Sequence, residues 1–153
     1  GLERAAFLHV ADVWQARPHG ANGKGGNGRG GAGGPPPPIE RLLFDGQAVL
    51  VQVIKDPIGT KGARLSTQIS IAGRFLVYLP QEPHIGISQR IGNAAEREAL
   101  RERLTRVLPP EERGGYIIRT VAEEASDEEL AADVAYLRRR WQQILDGSRT
   151  LPA

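Results

Sequence analysis

The stretch GYIIRTVAEEASDEEL, at residues 115–130, contains both kinds of element from which this chain is predicted to fold. The apolar run YII is typical of a buried strand, and Arg119 and Thr120 follow directly where that strand ends. Ser126, with Glu129 three residues later, has the pattern of a capping box that begins a helix. A guanidinium and a hydroxyl are therefore predicted between a rigid strand and a capped helix.

The helix that begins at this cap is predicted to be long and amphipathic. Acidic residues fill its first turn, and three arginines at residues 138–140 lie towards its other end, in the sense that the helix dipole favours. A second capping box, at Asn93 and Glu96, predicts a shorter helix that ends before two prolines. The apolar residues of the long helix recur at intervals of three and four, which predicts packing against a sheet, and they are Leu130, Val134, Leu137, Trp141, Ile144 and Leu145.

The first half of the chain is predicted to be rich in strands. Turn residues separate its apolar runs at residues 45–46 and 57–59. Between residues 63 and 71 the side chains alternate in character, which predicts one strand with one buried face. Further strands are predicted at residues 75–79 and 85–88. Together these elements indicate an α+β fold.

Composition excludes several classes of protein. The 153 residues contain no cysteine, which excludes disulfides and thiolate metal sites and favours a reducing compartment. The sequence has no apolar run of about 18 residues for a membrane span and no signal-peptide pattern at its start, so we expect a cytoplasmic protein. The net charge of +2 is compatible with a polyanionic partner but does not require one.

Residues 18–38, rich in glycine and proline, are predicted to form a flexible insertion or linker. Its Lys24 and Arg29 are either solvated or positioned to touch RNA phosphates, as in a short glycine-arginine arm. The chain starts without methionine in a segment that resembles the middle of a domain, and we therefore expect a fragment of a longer protein.

Two motifs suit a terminal phosphate. Arg119 offers a planar fork of donors that matches two phosphate oxygens, and the Thr120 hydroxyl adds a third donor. The alternative is an arginine paired with a nearby acid such as Glu123 or Glu124. In the stretch GISQRI, Gln89 and Arg90 leave a short strand and could supply more donors, or could form an ordinary surface turn.

A separate pattern suits a nucleic-acid backbone. Lys61 lies between Thr60 and Gly62, beside a strand whose exposed face is predicted to carry polar and basic side chains. The alternative is a solvated lysine at a hairpin tip. Phe7 could stack on a base next to this surface, or could belong to the core.

Catalytic patterns are weaker. The acidic residues at 123–129 resemble a carboxylate cluster, but the start of a capped helix explains them more simply than a metal site does. His9, His19 and His84 have neither metal-ligand spacing nor a nucleophile as a partner. We expect no catalytic residue and no metal site in this chain.

Three separated blocks, GARLSTQISIAGRFLVYLP, GISQRI and GYIIRT, resemble the N-terminal part of the RNase E/G endoribonucleases. The block KDPIGTKGARL, taken together with SQRI, is more similar to the RNase G branch. The resemblance implies a partial antiparallel OB-type β-barrel at residues 1–68, truncated at its start, followed by a small mixed sheet-and-helix domain at residues 69–153. In that family the second domain senses the 5′-monophosphate of RNA.

The resemblance also implies roles for particular residues. Arg119 and Thr120 match the pair that holds the 5′-monophosphate in the family, and Arg90 matches a further arginine of that site, whereas Gln89 stands where the E branch has arginine. The residues that shape the phosphate pocket match Gly73 and Val77. The RNA-contacting residues of the OB-type domain match Phe7 and Lys61.

By the same resemblance, we expect the parts of the family that cleave RNA to lie outside this chain. The resemblance therefore implies a parent protein that is a Mg²⁺-dependent, single-strand endoribonuclease in RNA processing and decay, with Zn²⁺ as a further metal and a homo-oligomeric assembly. The fragment is expected to bind RNA, to hold no cofactor and not to cut. The alternatives are a stand-alone, non-catalytic OB-fold RNA-binding module and a purely structural oligomerisation segment.

Overall fold

The structure is a computed structural model that describes residues 4–14 and 37–152. The chain separates into two compact units, Gly1–Gln68 and Ile69–Ala153, and each unit has its own sheet. The predicted insertion at residues 18–38, with its two basic residues, lies almost entirely outside the described residues.

The first unit contains a small open sheet of three strands, β1 (Phe7–Leu8), β2 (Gln52–Lys55) and β3 (Arg64–Ser66), in the order β1-β3-β2. β2 runs antiparallel to β3, but β1 runs parallel to it. A parallel pair needs a long connection, which the intervening chain provides. The sheet is therefore mixed where the sequence predicted antiparallel pairing, and the described strands do not close into a barrel.

The single strand predicted over residues 63–71 is wrong. β3 ends at Ser66, whose hydroxyl donates to the Asp12 carbonyl at 3.2 Å and accepts the Gln68 N–H at 3.1 Å. The Thr67 N–H also donates to the Asp12 carbonyl, at 3.0 Å. These bonds turn the chain out of the strand, and the alternation of side chains over residues 63–71 is divided between two different units.

The second unit has a four-stranded sheet in the order β4-β5-β7-β6. β5 pairs antiparallel with β4 and β7, whereas β6 pairs parallel with β7. The central strand β7 thus joins an antiparallel half of the sheet to a parallel half. The four strands are β4 (Ile71–Ala72), β5 (Leu76–Leu79), β6 (Ile85–Ile87) and β7 (Gly115–Ile118).

Two helices, α1 (Ala94–Val107) and α2 (Asp127–Thr150), pack against each other and on one face of this sheet. Both predicted capping boxes are confirmed, at Asn93 with Glu96 and at Ser126 with Glu129. The α+β fold class is also confirmed. The core consists of Phe75, Leu76, Tyr78, Ile91, Leu100, Leu104, Tyr116, Ile118, Ala122, Ala125, Leu130, Val134 and Leu137.

The end of α2 buries less than the predicted stripe implied. Trp141 is half-buried and packs against the core, while Ile144 and Leu145 are half-buried. On the sheet face away from the helices, Val77 and its strand partner Ile117 stay partly exposed. This face and the ends of its strands carry the residues that the sequence singled out.

Candidate nucleic-acid interface

Arg119 lies at the carboxyl end of β7, where the chain enters a short 3₁₀ helix, Thr120–Glu124. The Arg119 backbone N–H donates to the Phe75 carbonyl at 3.0 Å, which adds one more bond to the β5–β7 pairing. Arg119 Nη1 donates to the Gly73 carbonyl at 3.2 Å. Both the backbone and the guanidinium of Arg119 are therefore held by the segment that precedes β5.

The guanidinium of Arg119 nevertheless stays exposed. A guanidinium has five N–H donors, so the bond to Gly73 leaves donors free for a ligand. Within residues 4–14 and 37–152, Arg119 forms no ion pair, and the alternative pairing with Glu123 or Glu124 is not made. Thr120 is exposed beside it.

The segment before β5 is held by a buried carboxylate. Asp133 of α2, whose residue is 8% exposed, accepts the Arg74 N–H at 3.0 Å through Oδ1 and the N–H groups of Phe75 and Leu76 at 2.9 and 3.0 Å through Oδ2. The Gly73 N–H closes the turn by donating to the Leu76 carbonyl at 2.7 Å. Three successive backbone N–H groups thus point inward at one side chain.

Gly73 is needed for this close approach. A Cβ at position 73 would lie 2.5 and 2.7 Å from the two carboxylate oxygens of Asp133, a distance that no real side chain tolerates without a shift of its neighbours. The sequence suggested Gly73 only through the family resemblance. The structure adds a steric reason for glycine at this position, because the backbone there is in close contact with the Asp133 side chain inside the protein.

Gln89 and Arg90 lie beyond the carboxyl end of β6 and are both exposed. The turn that carries them is tied to β7 because the Ser88 N–H donates to the Ile118 carbonyl at 3.0 Å. It is closed by the N–H of the fully buried Ile91, which donates to the Ser88 carbonyl at 3.1 Å. The turn is therefore an anchored part of the sheet edge.

The strand register brings these segments to one edge of the sheet. Ile118 is opposite Ile87 on the parallel side and opposite Leu76 on the antiparallel side. The ends of β6 and β7 and the start of β5 consequently meet there. Val77 is paired with Ile117, one position further into the sheet, so it lines the approach to this edge. The residues gathered in this region are Gly73, Val77, Gln89, Arg90, Arg119 and Thr120.

Phe7 and Lys61 both belong to the first unit, where Phe7 pairs with Arg64, three residues after Lys61. The Phe7 N–H donates to the Ala63 carbonyl at 2.8 Å, and Phe7 is 57% exposed, so it is not a core residue. Lys61 is exposed and follows a tight turn in which Ile58 and Lys61 exchange backbone hydrogen bonds of 3.1 and 3.0 Å. An exposed ring on β1 and an exposed ammonium group on the turn that precedes β3 are thus available in the first unit.

Two residues near the sheet edge were missed by the sequence interpretation. Asp133 falls on the apolar stripe of α2, three residues after Leu130, and a carboxylate on a buried stripe is a signal that was available. Arg74 carries an exposed guanidinium 4.9 Å from the centre of the Phe75 ring, and no sequence pattern predicts this cation–π contact.

A second buried carboxylate lies elsewhere in the same unit. Glu112, with its side chain 6% exposed, accepts the hydroxyls of Tyr78 and Tyr116 at 3.0 Å each and the Gly114 N–H at 2.7 Å, and it pairs with Arg138 Nε at 3.0 Å. The two tyrosine rings stack with their centres 4.9 Å apart. Burial, together with the negative charge of Glu112, raises the pKa of both tyrosines well above the ordinary value of 10.0.

A cavity of about 440 Å³ opens between α1 and the 3₁₀ helix. None of the predicted site residues lines it. In the part of the chain that the structure describes, no group of three or more His, Cys, Asp or Glu side chains is arranged to hold a metal ion. Among the described helices, none combines the length and the apolarity that a membrane span requires.

Comparison with known proteins relates the chain to one family. Residues 70–152 match the profile of the Ribonuclease E/G family. Ribonuclease G from Salmonella typhimurium is 42% identical over 146 residues, which is 95% of this chain and 28% of the relative. Ribonuclease G from Haemophilus influenzae is 41% identical over 99% of this chain, and ribonuclease E from Synechocystis is 32% identical over 99% of it.

The chain spans 28–29% of the length of these ribonuclease G relatives and 20% of the ribonuclease E relative. Among solved structures, the RNase P protein of Staphylococcus aureus aligns with 49% of this chain at 15% identity and a TM-score of 0.41. That likeness is too low to support an argument about fold or function.

Proposed function

The chain belongs to the ribonuclease E/G family, and from this premise we propose that its second unit recognises the 5′-monophosphate end of single-stranded RNA. The observation that carries the proposal is the exposed guanidinium of Arg119, held by the Gly73 carbonyl at the edge where β5, β6 and β7 meet. Its remaining donors and the Thr120 hydroxyl form a fork suited to the oxygens of one phosphate.

The other residues of the edge complete the proposed site. Arg90 contributes a second positive charge, Gln89 contributes a neutral donor, and Gly73 and Val77 form the apolar side against which the terminal nucleotide packs. A hydrogen bond to a charged group contributes about 1.5–3 kcal/mol in proteins, and exposure to solvent reduces that value at this edge. A 5′-hydroxyl lacks the charge and loses this contribution.

In the first unit we propose a contact that does not depend on the RNA end. Phe7 stacks on a base and Lys61 pairs with a backbone phosphate, as in other surfaces that bind single strands without strong sequence preference. Their exposure, and the pairing of Phe7 with the strand that follows Lys61, support this role.

For the full-length protein we propose a Mg²⁺-dependent endoribonuclease of the RNase G type that processes ribosomal RNA and degrades messenger RNA in the cytoplasm as a homo-oligomer. Its catalytic residues, its Mg²⁺ and an additional Zn²⁺ would be held outside the present chain. The 153-residue chain is then expected to bind RNA without cleaving it. Cleavage by this chain from an RNase-free preparation, abolished by EDTA, would contradict that expectation.

The test of 5′-end recognition is fluorescence anisotropy with two short single-stranded RNAs that differ only in a 5′-monophosphate or a 5′-hydroxyl. We expect the wild type to prefer the monophosphate by about tenfold, equivalent to about 1.4 kcal/mol. Arg119→Ala should remove the preference. Arg106→Ala is the control. It removes an exposed arginine near the carboxyl end of α1, whereas Arg90 precedes the start of that helix, and it should leave the monophosphate preference unchanged. Equal binding of both RNAs by the wild type would contradict the proposal.

A further inference from the structure

We propose that Asp133 is the positioning residue of the phosphate site, holding the segment between Gly73 and Leu76 in the shape that Arg119 requires. The inference rests on the proposed function of that site and adds a residue that does not itself touch the RNA. Asp133 lies on α2, behind the sheet edge, and acts on the ligand only through the backbone in front of it.

The hydrogen bonds of Asp133 fix three consecutive peptide groups from the inside. Its two oxygens accept the N–H groups of Arg74, Phe75 and Leu76 at 2.9–3.0 Å, and the residue is 8% exposed. Buried N–H groups require acceptors, so without this carboxylate the segment would have to move to find other partners.

The same segment also binds Arg119, through its backbone carbonyl groups. The carbonyls of Gly73 and Phe75 accept the Arg119 guanidinium and the Arg119 backbone N–H at 3.2 and 3.0 Å. In two of these peptide units, the N–H donates to Asp133 and the carbonyl accepts a hydrogen bond from Arg119. A displacement of this backbone therefore moves the Arg119 side chain directly.

The close packing at Gly73 makes the arrangement sensitive to the Asp133 side chain. The Gly73 backbone is so close to the carboxylate that a Cβ there would lie 2.5 Å from Oδ1. Asp133→Asn keeps the volume of the side chain but replaces one acceptor oxygen with an N–H₂ group. That group would face a backbone N–H, and two donors repel each other, so the segment must shift.

The experiment compares Asp133→Asn, Val134→Ala and Arg119→Ala in the full 153-residue chain, with the same pair of 5′-monophosphate and 5′-hydroxyl RNAs. Val134 is the adjacent core residue, 3% exposed, and its truncation serves as a control for general destabilisation. We expect Asp133→Asn to lower the monophosphate preference from about tenfold to threefold or less. Its affinity for the 5′-hydroxyl RNA should stay within twofold of the wild type.

Val134→Ala should keep the tenfold preference even where its melting temperature falls as far as that of Asp133→Asn. In an Arg119→Ala background, Asp133→Asn should have no further effect on the preference, because both changes act on the same contact. If Asp133→Asn does not fold, Asp133→Glu takes its place, since an extra methylene group displaces the carboxylate with the same expected consequence.

Three results would overturn the inference. If Asp133→Asn keeps the preference that Arg119→Ala loses, the site functions without Asp133 and the proposed function stands. If Val134→Ala loses the preference in proportion to its melting temperature, Asp133 acts only through stability. If the wild type shows no preference at all, the proposed function fails and the role of Asp133 fails with it.

Discussion

Asp133 and Glu112 are two buried carboxylates of the same unit that differ in what they hold. Asp133 accepts three successive backbone N–H groups of the segment beside Arg119. Glu112 accepts two tyrosine hydroxyls and one backbone N–H and pairs with Arg138. The first carboxylate holds one short backbone segment in place, whereas the second joins side chains from β5, β7 and α2.

This difference indicates that burial of a carboxylate does not by itself reveal its role. Bonds to side chains on separate elements stabilise the packing of those elements, so Glu112 should contribute mainly to the free energy of unfolding. Bonds to consecutive peptide groups define a local backbone shape, so Asp133 should contribute mainly to ligand preference. The predictions below test whether stability and preference separate in this way.

The largest expected effect is on stability, from Glu112→Ala. It leaves two buried hydroxyls and the Gly114 N–H without their acceptor and removes the nearer carboxylate from Arg138. Each buried donor left unsatisfied costs about 1–3 kcal/mol, so we expect a total loss of at least about 3 kcal/mol. Urea unfolding followed by circular dichroism measures the loss. Glu111→Ala is the matched control, because Glu111 contacts Arg138 only at 3.7 Å with 67% of its side chain exposed.

At a urea concentration where Glu112→Ala is still folded, its preference for 5′-monophosphate RNA should equal that of the wild type. Loss of the preference without loss of stability would reverse the roles assigned to the two carboxylates.

A second prediction concerns alkaline pH. Tyr78 and Tyr116 have a raised pKa in the folded state, so above pH 10 the unfolded chain loses protons that the folded chain retains, and stability falls as pH rises. For two tyrosines, the free energy of unfolding should fall by about 2 kcal/mol between pH 10 and 11. Urea unfolding of the wild type and of a Tyr78→Phe/Tyr116→Phe variant at both pH values measures it. A variant with the same pH dependence as the wild type would exclude the tyrosines as its cause.

Gly73→Ala tests the Asp133 contact from the opposite side. The added Cβ overlaps the carboxylate, and overpacking of this kind costs about 1–2 kcal/mol and should also lower the monophosphate preference. Gly86→Ala is the control, because a Cβ there meets only Ile117 Cγ1 at 3.6 Å, an ordinary contact. Thermal melts and the two-RNA binding assay compare the variants. Equal behaviour of the two substitutions would argue against a special role for the Gly73 contact.

The smallest expected effect is that of Arg74→Ala. Asp133 holds the Arg74 backbone N–H, which every residue except proline has, so the substitution removes only the exposed cation–π contact with Phe75. Such contacts contribute about 0.5–1 kcal/mol at exposed sites. Urea unfolding should therefore detect a loss of about 0.5 kcal/mol. A loss several times larger would mean that the Arg74 side chain, and not only its backbone, supports the segment.

Much of the second unit could be predicted because its signals are local. Each capping box joins residues three positions apart, and the apolar run before Arg119 is continuous in sequence. The strand predicted over residues 63–71 failed for a non-local reason, since Ser66 and Thr67 bond to Asp12 from a distant part of the chain. The resemblance to a family named the candidate residues of the site but gave no contacts between them.

The sequence by itself determined the α+β class, the two capped helices, the strand that ends at Arg119 and the family to which the chain belongs. The tertiary structure alone decided that Gly73, 46 residues before Arg119, lies beside it, and that Asp133 accepts the N–H groups of the short segment that follows Gly73. Local patterns depend on near neighbours along the chain. The partners of Arg119 depend instead on the strand order β4-β5-β7-β6, which is set by the packing of the whole unit.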